Sequence, residues 1–169
     1  MSKYKAKLLC MDVLIAALLL AFDQFTKHLA VVYLKGKDAY VLIDGVLELD
    51  YLENRGAAFG MLQNQKFFLV AVGIVFMAVI CYFLIRLPDQ KKYFIIHILA
   101  SAIIAGGLGN MIDRIRLDFV VDFISFVLIN YPIFNVADIY VVVATIAVFV
   151  ILLFVYKEED LEFLNKREK

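Results

Sequence analysis

The sequence predicts an all-α membrane protein with four transmembrane helices, a small β-sheet outside the membrane and an interfacial amphipathic helix. Composition is the first observation: 64% of the 169 residues are hydrophobic, 20% are charged and the mean hydropathy is +0.86. Soluble domains have roughly 45–50% apolar and about 25% charged residues. Seventeen Lys and Arg residues balance seventeen Asp and Glu residues, and no basic stripe is present. These observations argue against a soluble fold and against a nucleic-acid partner.

Four apolar segments are long enough to cross a membrane, which takes about 20 helical residues. They cover residues 8–34, 67–85, 93–112 and 136–156. The first segment follows three lysines, as in a signal peptide, but it has no small-residue cleavage site, which indicates an uncleaved helix. We therefore expect one integral-membrane domain, residues 1–169, with two long loops, 35–66 and 113–135, on the same side of the membrane.

The basic residues indicate the orientation of the helices. The short segments on one side hold Lys3, Lys5, Lys7, Arg86, Lys91, Lys92, Lys157, Lys166, Arg167 and Lys169. The two long loops hold fewer, namely Lys35, Lys37, Arg55, Lys66, Arg114 and Arg116. Because Lys and Arg are enriched in short cytoplasmic segments, we expect both termini in the cytoplasm and the two long loops outside.

The two outer loops differ in their patterns. Residues 40–52 alternate between apolar and polar side chains around the Asp44-Gly45 turn, which predicts a β-hairpin with one apolar face. Residues 119–129 form an apolar segment that is too short to span the membrane. We interpret this second segment as the interfacial amphipathic helix.

Polar side chains collect at one depth of the predicted bundle. At 1.5 Å per residue, Asp23 lies roughly 23 Å along the first helix, and Asn110 and Asp113 lie roughly 26 and 30 Å along the third. The two outer loops and the start of the fourth helix lie at the same level. Their polar residues are Asn54, Arg55, Arg114, Asp122, Asn135 and Asp138. Carboxylates at a membrane boundary are costly unless they are partnered, so the cluster indicates a functional site near the outer face.

Several members of the cluster also have a purely structural interpretation. Asp23 and Lys27 could form only an intrahelical ion pair, and Asn135 with Asp138 could only cap the fourth helix. Asn110 and Asp113 could serve only as contacts between helices. The glycine-rich stretch 106–109 favours close helix packing over a phosphate cradle, since no strand precedes it. His28 and His97 are each without a second histidine at ligand spacing, so we expect no metal site.

The chemistry available to such a cluster is that of its carboxylates. No Gly-x-Ser-x-Gly or His-Glu-x-x-His motif is present, and a Ser/His/Asp set is also missing. Two aspartates in a partly dry site share a proton and can act as base and acid on a water that attacks an amide. The residues therefore permit an intramembrane aspartyl protease without a metal or cofactor. A transporter and a non-enzymatic scaffold remain as alternatives.

Five motifs carry a resemblance to a known family. They occur in the order 23–27 (DQFTK), 54–60 (NRGAAFG), 109–114 (GNMIDR), 120–123 (VVDF) and 134–138 (FNVAD). With the four apolar segments, they closely resemble the lipoprotein signal peptidases, also called signal peptidase II, over essentially the whole length. Two positions depart from the usual pattern: Ser125 stands where many relatives have an aspartate, and Tyr131 stands where the aromatic is often Trp.

The resemblance implies an aspartyl endopeptidase of the bacterial cytoplasmic (inner) membrane. Such an enzyme cleaves the signal peptide of diacylglyceryl-modified prolipoproteins just before the lipidated cysteine, and its site lies near the outer face beside an extracytoplasmic β-sheet cradle. The resemblance implies a catalytic pair, Asp122 and Asp138. It also implies residues that bind substrate or support the site, namely Asn54, Arg55, Gly56, Asn110, Arg114, Asn135, Asp23 and Asp113. Expected partners are prolipoproteins, membrane lipids and globomycin-type inhibitors, with no cofactor and a monomeric state.

Overall fold

The computed structural model describes residues 2–57 and 61–164. Its long helices are α1 (Lys3–Tyr33), α2 (Lys66–Arg86), α3 (Phe94–Leu117) and α4 (Val136–Phe154), and its strands are β1 (Tyr40–Ile43), β2 (Leu47–Asn54) and β3 (Val120–Phe126). A short helix, α5 (Glu158–Leu161), follows. All four long helices are apolar enough to span a membrane, which confirms the predicted fold class. Residues 58–60 of the second motif and Lys166, Arg167 and Lys169 of the tail lie outside the described residues.

The helices turn large apolar side chains outward, as expected for a lipid environment. In α2 the buried side chain is that of Leu84, and in α4 the buried ones are Ala137 and Ala144. Small residues allow the central helix α3 to approach its neighbours closely. A Cβ at Gly106 would lie 2.4 Å from the Ala137 carbonyl oxygen, and one at Gly109 would lie 2.4 Å from Asp23 Oδ2. The prediction that this glycine-rich stretch serves helix packing is confirmed.

Two helix ends differ from the predicted spans. Helix α1 begins at Lys3, and the Lys5 amine donates hydrogen bonds to the Leu84 and Leu87 carbonyls at the end of α2. Helix α3 continues past residue 112 to Leu117 and ends at Asp118, which has a left-handed φ of 68°. Hydropathy placed the start of α1 too late and the end of α3 too early, because charged residues continue a helix when the protein itself satisfies them.

The outer sheet is antiparallel in the order β1-β2-β3. The hairpin predicted around Asp44-Gly45 is confirmed by the pairing of β1 with β2. The interfacial amphipathic helix predicted at residues 119–129 is wrong: residues 120–126 are β3, and a single 3₁₀ turn follows at Val127–Ile129.

The physical reason for this strand lies in its side chains and its partner. Val120, Val121 and Ile124 are β-branched and favour extended backbone. Pairing with β2 satisfies the backbone of β3, and Val121 and Phe123 pack against Ala30 of α1. The same pairing sets Val120 opposite Asn54 and Asp122 opposite Leu52, which brings Asp122 into the site.

A second polar cluster, near the N-terminal ends of α1 and α3, was not predicted. The His97 side chain is fully buried, and its Nδ1 lies 2.7 Å from Asp12 Oδ2. The Ser101 hydroxyl lies 3.3 Å from the other Asp12 oxygen. His97, which lacks a metal-ligand pattern in sequence, thus has a carboxylate partner on another helix. Asp12 precedes Asp23 by about 16 Å of helix, so this cluster is separate from the outer one.

Candidate active site

A cavity of about 650 Å³ lies between the sheet and the outer ends of α3 and α4. Among its lining residues are five of the polar residues predicted to share this level, namely Asn54, Asn110, Arg114, Asp122 and Asp138. Asn135 lies behind them and is fully buried. The opposite parts of the wall are apolar and include Leu52, Tyr131, Phe134, Val141 and Val142. The structure therefore brings together a polar floor and an apolar wall.

Asp138 owes its position to the start of α4. The Asn135 side-chain oxygen accepts from the Asp138 amide at 3.1 Å, and Asp138 Oδ2 accepts from the Asn135 amide at 3.1 Å, which is a complete capping box. The predicted cap is confirmed, yet the same carboxylate also lines the cavity. The capping role therefore does not remove the Asp138 side chain from the cavity.

Amide side chains connect the two carboxylates. Asn135 Nδ2 donates to Asp122 Oδ1 at 2.6 Å and to Asn110 Oδ1 at 3.1 Å. Asn110 Nδ2 donates to Asp138 Oδ1 at 2.7 Å, and Asn54 Nδ2 donates to Asp122 Oδ2 at 2.8 Å. In three of these four bonds the acceptor is a carboxylate oxygen, and in the fourth it is the Asn110 amide oxygen. In the described part of the chain neither aspartate is paired directly with a cation, and amide groups donate to both carboxylates.

The pKa of Asp122 is raised to about 6: burial is the largest cause and the negative charge of Asp138 also raises it, whereas hydrogen bonds from Asn54 and Asn135 lower it. A carboxyl group in water titrates near about 4. Asp122 is 1% exposed, so the loss of hydration is the dominant effect. In mildly acidic solution this side chain therefore holds a proton.

We expect the protonated Asp122 carboxyl to be visible by infrared spectroscopy below a pH of about 6. The carbonyl band of the acid should disappear as the pH rises through that value, and Asp122→Asn should remove it at every pH. Since the folded-state pKa is raised, ionisation opposes folding, and the stability contribution of this group is lost as the pH rises from about 4 through about 6. A band that titrates near about 4 would contradict the raised pKa.

Beneath the dyad lies a buried charge cluster. The Lys27 amine is 3.1 Å from Asp23 Oδ2 and 3.0 Å from Asp113 Oδ2. Gln24 Nε2 donates to Asp113 Oδ1 at 3.0 Å, and Asp23 Oδ1 accepts from the Ala137 amide at 3.0 Å. The predicted ion pair within α1 is confirmed, and the structure extends it to α3 and α4. Asp23 and Asp113 thus support the site from below and do not line its cavity.

The loop after β2 is held by Arg114 and Asn54. Arg114 Nη2 donates to the Gly56 carbonyl at 2.8 Å, and Asn54 Oδ1 accepts from the Gly56 amide at 2.9 Å. Arg55 instead bonds Glu53 at 3.2 Å and lies over the Phe119 ring. Of the two residues predicted beside Asn54, Gly56 therefore contacts site residues directly, whereas Arg55 contacts Glu53 and Phe119.

Comparison with known proteins agrees with this geometry. The family model described as Signal peptidase (SPase) II matches residues 15–154. The lipoprotein signal peptidase of Caldanaerobacter subterraneus is 42% identical over 145 residues, which cover 85% of this chain and 97% of that protein. The lipoprotein signal peptidase of Brevibacillus brevis is 44% identical over 143 residues, which cover 85% and 93%.

Solved structures agree as well. One bacterial membrane enzyme solved by the in meso method superposes with a TM-score of 0.75 at 31% identity, covering 94% of this chain and 93% of its own. A second such enzyme gives a TM-score of 0.73 at 32% identity, covering 86% and 94%. The fold is therefore shared over nearly the full length.

Proposed function

Since the chain belongs to the signal peptidase II family and is thus a peptidase of lipoprotein signal peptides, we propose that Asp122 and Asp138 perform the cleavage as an aspartyl dyad. The observation that carries this proposal is the pair of carboxylates facing one cavity, each held by amide donors. The transporter and scaffold alternatives are disfavoured by family membership.

In the proposed reaction, the charged Asp138 takes a proton from a water molecule between the two side chains. The oxygen of that water attacks the scissile carbonyl carbon, and Asp122 donates its proton to the carbonyl oxygen. When the C–N bond breaks, Asp138 gives its proton to the leaving nitrogen and Asp122 recovers one from a hydroxyl of the intermediate. One water is consumed, and both carboxyls return to their starting states.

The proposed substrate is a prolipoprotein with a diacylglyceryl group on its cysteine, cleaved just before that cysteine. The apolar cavity wall supports this proposal because it suits the small apolar residues of a signal peptide. Val142 lines the cavity and is also 50% exposed on the outer surface of α4. Since that surface faces lipid, the acyl chains of a bound substrate can remain in the bilayer while the peptide enters the cavity.

Purified full-length protein in detergent provides the direct test. A synthetic prolipoprotein peptide, with and without the diacylglyceryl group, is incubated with the protein, and the products are identified by mass spectrometry. We expect cleavage before the cysteine of the lipidated peptide and a much slower reaction of the other. Equal cleavage of the two peptides would contradict the proposed lipid requirement, and no cleavage of either would contradict the proposed activity.

We also propose that the site lies near the outer face of the bacterial cytoplasmic membrane and that both termini are cytoplasmic. The enzyme is proposed to be a monomer and to be inhibited by globomycin-type antibiotics. The distribution of Lys and Arg supports this orientation. Reporter fusions within residues 87–90 should read as cytoplasmic, and fusions at Asp44, in the hairpin turn, should read as external. A cytoplasmic signal at Asp44 would place the sheet and the dyad on the wrong side.

Asn54→Ala and Arg114→Ala should each lower kcat/KM by on the order of 10–1000-fold, the loss expected from one or two positioning hydrogen bonds of about 1.5–3 kcal/mol each. Asn54 contacts Asp122 directly, and Arg114 holds the Gly56 carbonyl at the cavity edge. Asp23→Ala serves as the comparison because its contacts with Lys27 and the Ala137 amide are structural. It should lower the Tm more than either variant.

Turnover and melting temperature are measured on the same preparations. If Arg114→Ala lowers the Tm and retains full specific activity, Arg114 only holds the fold together and has no role in the reaction.

A further inference from the structure

Lys27 is a buried cation at the base of the site, with a side-chain exposure of 4%. Its amine contacts three oxygens: Asp23 Oδ2 at 3.1 Å, Asp113 Oδ2 at 3.0 Å and Asn110 Oδ1 at 2.9 Å. An ammonium group has three donors and no acceptor. Every donor of Lys27 is therefore used, and one of them is directed to the amide that contacts Asp138.

This contact determines which way the Asn110 amide faces. Because Lys27 can only donate, Asn110 must present its oxygen to Lys27 and its nitrogen to Asp138. The Asn135 amide, which also donates to the Asn110 oxygen, supports the same orientation. If Lys27 were absent, a flipped Asn110 would place its oxygen against the Asp138 carboxylate.

We propose that Lys27 is a positioning residue of the peptidase, which fixes the Asn110 amide so that Asp138 is the charged, proton-accepting member of the dyad. The inference rests on the proposed aspartyl mechanism and adds a residue that acts on it through Asn110. It assigns to Lys27 a role in the reaction beyond its ion pairs with Asp23 and Asp113.

Several other charged and titratable groups face the dyad or the cluster below it. Helix α3 contributes Arg114 and Asp113, α1 contributes Asp23, and α4 contributes Tyr140, which lies near Asp23. The positive charge of Lys27 acts on Asp122 as well and lowers its pKa. Loss of Lys27 should therefore shift the titration of Asp122 to higher pH.

The experiment compares Lys27→Met with a double variant, Asp23→Asn with Lys27→Met, in full-length protein. The single variant leaves two carboxylates around a lost cation and is the one at risk of misfolding. The double variant removes one charge of each sign, so the net charge of the cluster is unchanged. Asp23→Asn alone keeps the contacts of Lys27 with Asn110 and Asp113. It therefore measures the effect of the Asp23→Asn substitution by itself.

Asp12→Asn is the matched control. It breaks a buried contact between α1 and α3, as Lys27→Met does, but it does so at the opposite end of the bundle. It should lower the Tm and leave kcat and the pH profile unchanged. A loss of activity caused only by weaker packing between α1 and α3 would appear in this variant too.

In the double variant, relative to Asp23→Asn, we expect kcat to fall by at least about 30-fold while KM changes by less than about 3-fold. The limb of the pH profile that reports Asp122 should move to higher pH, and the infrared band of protonated Asp122 should persist to higher pH than in Asp23→Asn. A folded double variant with the kcat, pH profile and infrared titration of Asp23→Asn would overturn the inference. Wild-type protein that fails to cleave the lipidated peptide would instead refute the proposed function.

Discussion

Asp122→Asn is expected to abolish cleavage of a lipidated prolipoprotein while the protein remains folded. The variant cannot donate a proton to the carbonyl oxygen, because its amide lacks an acidic proton in the accessible pH range. General acid or base groups contribute about 10²–10⁴-fold each, so turnover should fall by at least about 1000-fold. The measurement is product formation by mass spectrometry over an extended incubation.

Asp138→Asn should have the same effect for the complementary reason: it removes the carboxylate that accepts the proton of the water. In both variants the Tm should change little. Asparagine keeps the side-chain shape and loses one acceptor toward an amide donor, but it also removes a carboxylate from a poorly hydrated site. Near-normal cleavage by either variant would refute the dyad. Unfolding of both would contradict the stability prediction and move the test to Asp→Glu variants, which should also be inactive.

The membrane helices are predictable from the sequence because a single property decides them. A run of about 20 apolar residues has no favourable alternative to a helix in lipid. The strand β3 shows where that reasoning fails. Its residues are as apolar as those of a short buried helix. Whether they form a helix or a strand depends on a partner strand, Leu47–Asn54, that is distant in sequence. The β-branched residues Val120 and Val121 were the available local signal.

The sequence predicted which residues lie in the candidate site better than it predicted which of them are hydrogen-bonded to each other. Depth along the helices brings Asp23, Asn110 and Asp138 to one level, as the structure has them. Depth does not determine the rotation of each helix or the direction of an amide. The contact between Lys27 and Asn110 joins residues 83 positions apart, so the spacing within α1 indicated only the ion pair with Asp23.

The buried pair of Asp12 and His97 was missed for a related reason. Asp12 has no charged residue three or four positions away in the first helix, so the sequence offers it no local partner. A charged residue inside a membrane helix is rare and is usually paired within the bundle. That rule singles out Asp12, while the identity of its partner depends on how α1 packs against α3.

Asn135→Ser is expected to separate the capping role of Asn135 from its role in the site. Serine at this position can still accept from the Asp138 amide, since Ser and Asn are comparable N-caps. It has no donor that reaches Asp122 Oδ1 and Asn110 Oδ1, which Asn135 contacts at 2.6 and 3.1 Å. Two hydrogen bonds to the polar network, worth about 1.5–3 kcal/mol each, correspond to a loss of about 10²–10⁴-fold in kcat.

Asn135→Ala provides the comparison because it loses the cap as well as the donor. It should be as inactive as Asn135→Ser and less stable by about 1 kcal/mol, the usual value of an N-cap. Melting temperature and kcat measured on both variants distinguish the two roles. Full activity in Asn135→Ser would mean that Asn135 serves only to start α4. An inactive serine variant with a near-normal Tm would mean that the buried Asn135 amide orients both carboxylates of the dyad. The Asn135 side chain donates to Asp122, and the capping box of Asn135 holds Asp138.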